Sequence, residues 1–259
     1  MSKKKVVKKT TTVTEEVTES PVNEKTQIVC ILDRSGSMGT IIDDAIGGFN
    51  EFIDEQKKLE GEATMTTALF DDKYDLLYDN VPLKEVKKFD RETWSPRGLT
   101  ALYDAIGKTI NTVRENHKNL KKDEKPDKVL VCIVTDGMEN HSKEYSNDQI
   151  KNLINECEKE HGWSFVYLAA NQDAFDVGRS FGVSGGNTYT FTADSTGIYN
   201  VSNTLNNAAT HYRSTTADTG DYANLMTNFG ESDDNLNITT NEYGGELSVS
   251  GSTVTFKSD

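Results

Sequence analysis

Three runs of consecutive apolar residues leave this chain little choice of fold: Ile28-Val29-Cys30-Ile31-Leu32, Val129-Leu130-Val131-Cys132-Ile133-Val134 and Phe165-Val166-Tyr167-Leu168-Ala169-Ala170. A strand without polar alternation must be covered on both faces, the condition of a strand in a parallel sheet sandwiched between helices. Helical stripes lie between the runs. They are Ile42, Ala45, Ile46, Phe49 and Ile53, then Leu102, Ala105, Ile106, Ile110 and Val113, then Ile150, Leu153, Ile154 and Cys157. Ala63 to Phe70 and Tyr74 to Tyr78, split by Asp71-Asp72-Lys73, predict a tight antiparallel hairpin. Asp173 to Phe181 reads as a short helix and Tyr189 to Phe191 as an edge strand. Ile198, Val201, Leu205, Ala208 and Ala209 read as a closing helix. The expectation is a doubly wound α/β fold: a mostly parallel six-stranded sheet with one antiparallel edge hairpin and helices on both faces.

The flanks differ from this pattern. Residues 1–25 are rich in Lys, Thr and Glu with few large apolar side chains, and are expected to be a disordered leader. The globular domain is expected over 26–213. An acidic, polar tail follows over 214–259, where Leu247, Val249, Val254 and Phe256 around Ser250-Gly251-Ser252 suggest a small terminal hairpin.

A formal net charge of -14 argues against a nucleic-acid or anionic-membrane surface, both of which need clustered Lys and Arg. Lys3-Lys4-Lys5 and Lys8-Lys9 form a local exception that Glu15, Glu16 and Glu19 offset. No apolar stretch is long enough to span a membrane, and the start lacks a secretory apolar core. The expected location is therefore the cytoplasm, or a virus particle if the chain is phage-encoded. Cys30, Cys132 and Cys157 sit in apolar positions without CxxC spacing and read as reduced core residues. His117, His141, His161 and His211 form no zinc-binding spacing.

The chemistry concentrates where apolar runs stop. Leu32 is followed by Asp33-Arg34-Ser35-Gly36-Ser37, which offers one carboxylate and two hydroxyls at alternate positions in a Gly-containing turn. Such oxygens suit a hard cation of the Mg²⁺ type. Gly98-Leu99-Thr100 opens a helix, where Thr100 also has an innocent reading as N-cap, and Thr135-Asp136-Gly137 closes the second apolar run. In doubly wound sheets ligands bind outside the carboxyl ends of the strands, where these segments would converge.

Asp-x-Ser-x-Ser after one buried strand, Thr100 in Arg97-Gly98-Leu99-Thr100-Ala101-Leu102, and Asp136 in Thr-Asp-Gly after another strand together resemble the von Willebrand factor A domain. The likeness covers about 27–213, and is nearest in character to the stand-alone cytosolic A-domain proteins of bacteria and phages. It implies a metal-ion-dependent adhesion site. Ser35 and Ser37 would ligate directly, Thr100 directly or through water, and Asp33 and Asp136 mainly through waters. The implied ion is Mg²⁺, with Mn²⁺ or Ca²⁺ as substitutes, and its open position would take an Asp or Glu from a protein partner. Intracellular relatives serve AAA+ ATPase complexes and viral structural assemblies. Met38, Arg97 and Met138, on the surrounding loops, are the expected partner-facing residues.

Two other readings compete. The domain could be a structural assembly module of a virion or multiprotein complex, with the tail adding strands to neighbours. A Mg²⁺-dependent phosphatase of the haloacid-dehalogenase type also places an Asp at a strand end, but needs a second carboxylate two residues on as general acid. Ser35 stands there, so no enzymatic activity is expected.

Overall fold

The computed structural model describes residues 24–170, 173–216, 222, 224 and 225, and the backbone of Gly245–Ser250 and Thr253–Ser258. Among the described residues, thirteen strands and α-helices carry the architecture in this order: β1 (Thr26–Asp33), α1 (Ile42–Lys58), β2 (Ala63–Phe70), β3 (Tyr74–Pro82), α2 (Leu102–Asn119), β4 (Lys128–Thr135), α3 (Asn147–His161), β5 (Ser164–Ala170), α4 (Ala174–Ser180), β6 (Thr188–Phe191), α5 (Ser195–Ser214), β7 (Gly245–Ser250) and β8 (Thr253–Ser258). Six strands form one sheet in the order β3-β2-β1-β4-β5-β6. Only the β2–β3 pairing in it is antiparallel. The doubly wound α/β fold expected from the apolar runs is therefore the observed one. β7 and β8 pair with each other, antiparallel, as a separate two-stranded sheet.

Alternation along the central strand builds two cores. Ile28, Cys30 and Leu32 face a layer made by α1 and α5, where Phe49, Phe52, Val201 and Leu205 pack. Val29 and Ile31 face the opposite layer, with Ile106, Ile110, Ile150 and Ile154 from α2 and α3. Both faces of β1 are fully buried, as its unbroken apolar composition requires. The three cysteines are free and buried.

The chain winds from β1 through β2 to β3 on one side, then returns to place β4 against the other side of β1. This reversal puts the switch point between the carboxyl ends of β1 and β4, the position at which open α/β sheets form a crevice. Asp33 is the last residue of β1, and Asp136 directly follows the last residue of β4.

The base of the domain is tied by two buried cations. Lys128 Nζ donates to the Tyr212 carbonyl at 2.7 Å at the end of α5 and pairs with Glu24, while Arg213 donates to the Gln56 carbonyl at 2.5 Å. The boundary expected at Arg213 falls inside α5. Packing continues past it: Tyr222 lies against Tyr212, and Leu225 is fully buried with its N–H on Asn187. Residues 1–23 of the expected leader and 226–244 of the expected tail lie outside the described residues. Among the described residues, no helix is long and apolar enough to cross a membrane.

Candidate metal centre

Beyond Asp33 the chain turns into a short 3₁₀ segment, Gly36–Thr40, which brings the Ser35 and Ser37 hydroxyls to 3.0 Å from each other. The Ser37 hydroxyl donates to Asp136 Oδ1 at 2.7 Å. Asp33 is held from both sides. Its Oδ1 accepts the Ser35 N–H at 2.6 Å, and its Oδ2 accepts the Thr135 hydroxyl at 2.5 Å. Its backbone carbonyl accepts the indole N–H of Trp94 at 2.9 Å. Thr135 thus aims the carboxylate of one strand from the end of its neighbour, a role that sequence reasoning missed because it took only Asp136 from Thr-Asp-Gly.

Thr100 corrects a second expectation. It is not the N-cap of α2; Ala101 occupies that position, without a side-chain cap. The free N–H groups of the first turn are met from the β4–α3 loop instead, by Glu139 on Tyr103 and Ser142 on Asp104. That loop also holds the Thr100 backbone. Asn140 Oδ1 accepts the Thr100 N–H, and the Thr100 carbonyl accepts the N–H groups of Asn140 and His141. The Thr100 hydroxyl is therefore spared from capping. A methyl carbon placed on Gly137 would lie 3.0 Å from it, 3.5 Å from the Ser37 hydroxyl and 3.8 Å from the Ser35 hydroxyl. Three hydroxyls from two distant segments line one small space that a glycine keeps open.

Burial raises both carboxyls. Asp33 is pushed up to about 6, chiefly by burial, with Asp136 nearby adding to it and the hydrogen bonds from Thr135 and Ser35 opposing it. Asp136 is also raised by burial, against its bond from Ser37. Two buried acids side by side disfavour their own ionisation, and a cation beside them is the partner that would reverse this. The donor set also fits a hard ion: it is all oxygen, with neutral hydroxyls foremost.

The expected rim is only partly where the loops suggested. Met38 is 1% exposed; the 3₁₀ turn folds it beneath the loop into the α1/α5 core, so it is no surface residue. Arg97 is half exposed, but its guanidinium is engaged by Asp71 and Asp75 of the same chain. Met138 does face solvent, at 68% exposure, and so does Leu99 at 49%, a residue beside Thr100 that was not singled out.

A sheet reversing at β1/β4 with hydroxyls and carboxylates gathered at that point defines a class, the doubly wound α/β domain with a strand-end oxygen cluster. Its particular form is the von Willebrand factor type A fold, as similar solved structures show. No protein-family profile and no curated protein sequence matches the chain. Proximal thread matrix protein 1 from the mussel byssus, in a structure with a zinc-occupied MIDAS motif, aligns at TM-score 0.51 and 15% identity, over 73% of this chain and 46% of that one. A von Willebrand factor type A protein from Catenulispora acidiphila aligns at TM-score 0.51 and 12% identity, over 73% and 43%. The vWF domain of the type V pili tip protein Mfa5 from Porphyromonas gingivalis aligns at TM-score 0.50 and 11% identity, over 71% and 96%. The match thus spans less than half of the mussel and Catenulispora chains.

Proposed function

We propose that this protein is a metal-dependent interaction module, in which a divalent cation at the β1/β4 switch point takes a carboxylate from a partner protein. The observation that carries this is the space bounded by Ser35, Ser37 and Thr100, kept open by Gly137 and flanked by Asp33 and Asp136. Mg²⁺ is the ion we assign, with Mn²⁺ or Ca²⁺ as substitutes; the zinc-occupied motif of the mussel protein supports a divalent ion in this setting.

Each residue has a definable task. Ser35, Ser37 and Thr100 offer neutral oxygens. Asp33 has both carboxylate oxygens engaged by Ser35 and Thr135, so it acts from behind the hydroxyls rather than as a free ligand. Asp136 orients Ser37. With the negative charge held back in this way, a bound ion would keep its attraction for an outside carboxylate. That attraction matters in a chain of net charge -14, whose average field repels acidic groups. Leu99 and Met138, exposed beside Thr100 and Gly137, give the partner apolar ground next to its acid.

We further propose that the site is not catalytic. The residue two positions after Asp33, where the phosphatase chemistry would need its second carboxylate, is a serine whose hydroxyl meets Ser37. Three buried free thiols suit a reducing compartment, in keeping with a cytoplasmic role.

Calorimetric titration with Mg²⁺ and Mn²⁺ tests the ion, with Asp33→Ala as control. Equal binding by wild type and variant would remove the site. Capture of partners from lysate with and without EDTA then tests adhesion, and partner recovery indifferent to chelator would favour a metal-independent assembly role.

A further inference from the structure

We propose that Asp71, at the turn between β2 and β3, is a positioning residue for the ion site: it sets the Thr100 loop against the Asp33–Ser37 loop while supplying no ligand. The inference rests on the metal-binding reading above and adds a residue to which that reading gives no role.

Asp71 is fully buried, and each of its polar groups is committed. Oδ2 accepts from Arg34 Nε at 2.8 Å and from Arg97 Nε at 2.8 Å. Oδ1 accepts the Lys73 N–H at 2.6 Å, which fixes the turn. Its backbone carbonyl accepts the Ala101 N–H at 2.9 Å. One residue therefore holds the neighbour of Asp33, a member of the loop leading to Thr100, and the residue directly after Thr100. Asp75 completes the cluster, 2.6 Å from Arg34 Nη2 and 3.3 Å from Arg97 Nη2.

The two loops are also stitched to each other. The Arg97 N–H donates to the Arg34 carbonyl at 2.8 Å, and the Gly36 N–H to the Gly98 carbonyl at 3.2 Å. Gly98 has φ +69, and a side-chain carbon there would come 2.0 Å from Asp72 Oδ1 and 3.3 Å from Asp71 Cβ. The Thr100 loop thus lies directly on the β2–β3 turn. Arg34 is itself buried, at the unspecified second position of Asp-x-Ser-x-Ser; its Nε hydrogen-bonds Asp71, while its Nη2 pairs with Asp75 by charge and without hydrogen-bond geometry. Two arginines donating to one buried carboxylate are a directional restraint as well as a charge pair. Groups that orient ligands in this way commonly change metal affinity without touching the ion.

Two simpler accounts predict different behaviour. If the cluster only stabilises the fold, its variants lower thermal stability and leave ion affinity alone. If it acts only through its field, loss of a positive charge tightens cation binding. Positioning predicts the opposite sign for that second change. The test is Mn²⁺ binding by the full chain, followed by calorimetry and electron paramagnetic resonance, for wild type, Asp71→Asn, Arg97→Met and Thr100→Ala. Expected is Mn²⁺ affinity weaker by about tenfold in Asp71→Asn. Arg97→Met should also bind more weakly than wild type, despite its lost positive charge. Both should reach the wild-type bound spectrum at saturation, whereas Thr100→Ala alters it. Unchanged affinity in the two cluster variants, or tighter binding in Arg97→Met, overturns the inference. Arg97 is half exposed, so its variant decides the matter if Asp71→Asn fails to fold. Absence of Mn²⁺ binding by the wild type would instead overturn the metal reading itself.

Discussion

The Ser37 hydroxyl donates to Asp136 Oδ1 across 2.7 Å, joining residues 99 positions apart. The bond spans the crevice between β1 and β4, and it fixes the rotamer of a side chain whose other neighbour, the Ser35 hydroxyl, lies 3.0 Å away. The oxygen cluster is therefore arranged without an ion, which would lower the entropic cost of capturing one.

Gly137→Ala should separate the ion from the fold. The added methyl would stand 3.0 Å from the Thr100 hydroxyl and 3.5 Å from that of Ser37, inside the space the ion would need. Mn²⁺ affinity is expected to fall by about tenfold, or about 1.4 kcal/mol. Denaturation in EDTA should change by no more than about 1 kcal/mol, because no backbone rearrangement is required. A variant that binds Mn²⁺ as well as wild type would move the ion elsewhere.

Trp94→Phe probes how the core supports the site. The indole donates to the Asp33 carbonyl at 2.9 Å and packs edge-on against Phe49 and Phe89. Phenylalanine keeps most of the packing and loses the donor, so urea unfolding should show a loss of about 1 to 3 kcal/mol. A loss near zero would mean that the carbonyl is satisfied without Trp94.

The pH dependence of stability should carry a signature of His117. Burial is the main cause that lowers its pKa to about 4, helped by the charges of Lys125 and His161. Its Nε2 sits 2.6 Å from Gln27 Oε1, and its ring meets Trp163 edge-on. The folded protein therefore takes up this proton less readily than the unfolded chain, whose ordinary value is about 6.5. Its contribution is complete above about pH 6.5 and is lost as pH falls toward 4. Thermal melts from pH 7 to 4 should show a shallower decline in His117→Gln than in wild type. Parallel curves would show that His117 titrates alike in both states.

Much of the fold was legible because it follows from local composition. The unbroken apolar runs of β1, β4 and β5 dictated burial on both faces, and the stripes of α1, α2 and α3 dictated two covering layers. Four residues of the oxygen cluster were legible for a related reason: Asp33, Ser35, Ser37 and Asp136 each lie at or just beyond the end of such a run, whereas Thr100 was read from the helix start that follows it. What stayed hidden depends on partners distant in sequence. Met38 follows Ser37 immediately, yet the 3₁₀ turn drives it into the core, and no periodicity reports a single turn of that kind. Thr100 looked like a cap because its sequence position allows it. Glu139 and Ser142 do that work on the N–H groups of Tyr103 and Asp104, from 36 and 38 residues further along the chain. Asp71 read as ordinary turn chemistry, and only the tertiary contacts with Arg34 and Arg97 distinguish it from Asp72 beside it.

The oxygen cluster draws on residues 33–37, 100 and 136, so no contiguous stretch of the chain carries all of it. Occupancy by an ion would report the integrity of the whole sheet at once. A proteolytic fragment ending before β4 would lack Asp136, and with it the bond that closes the cluster on Ser37.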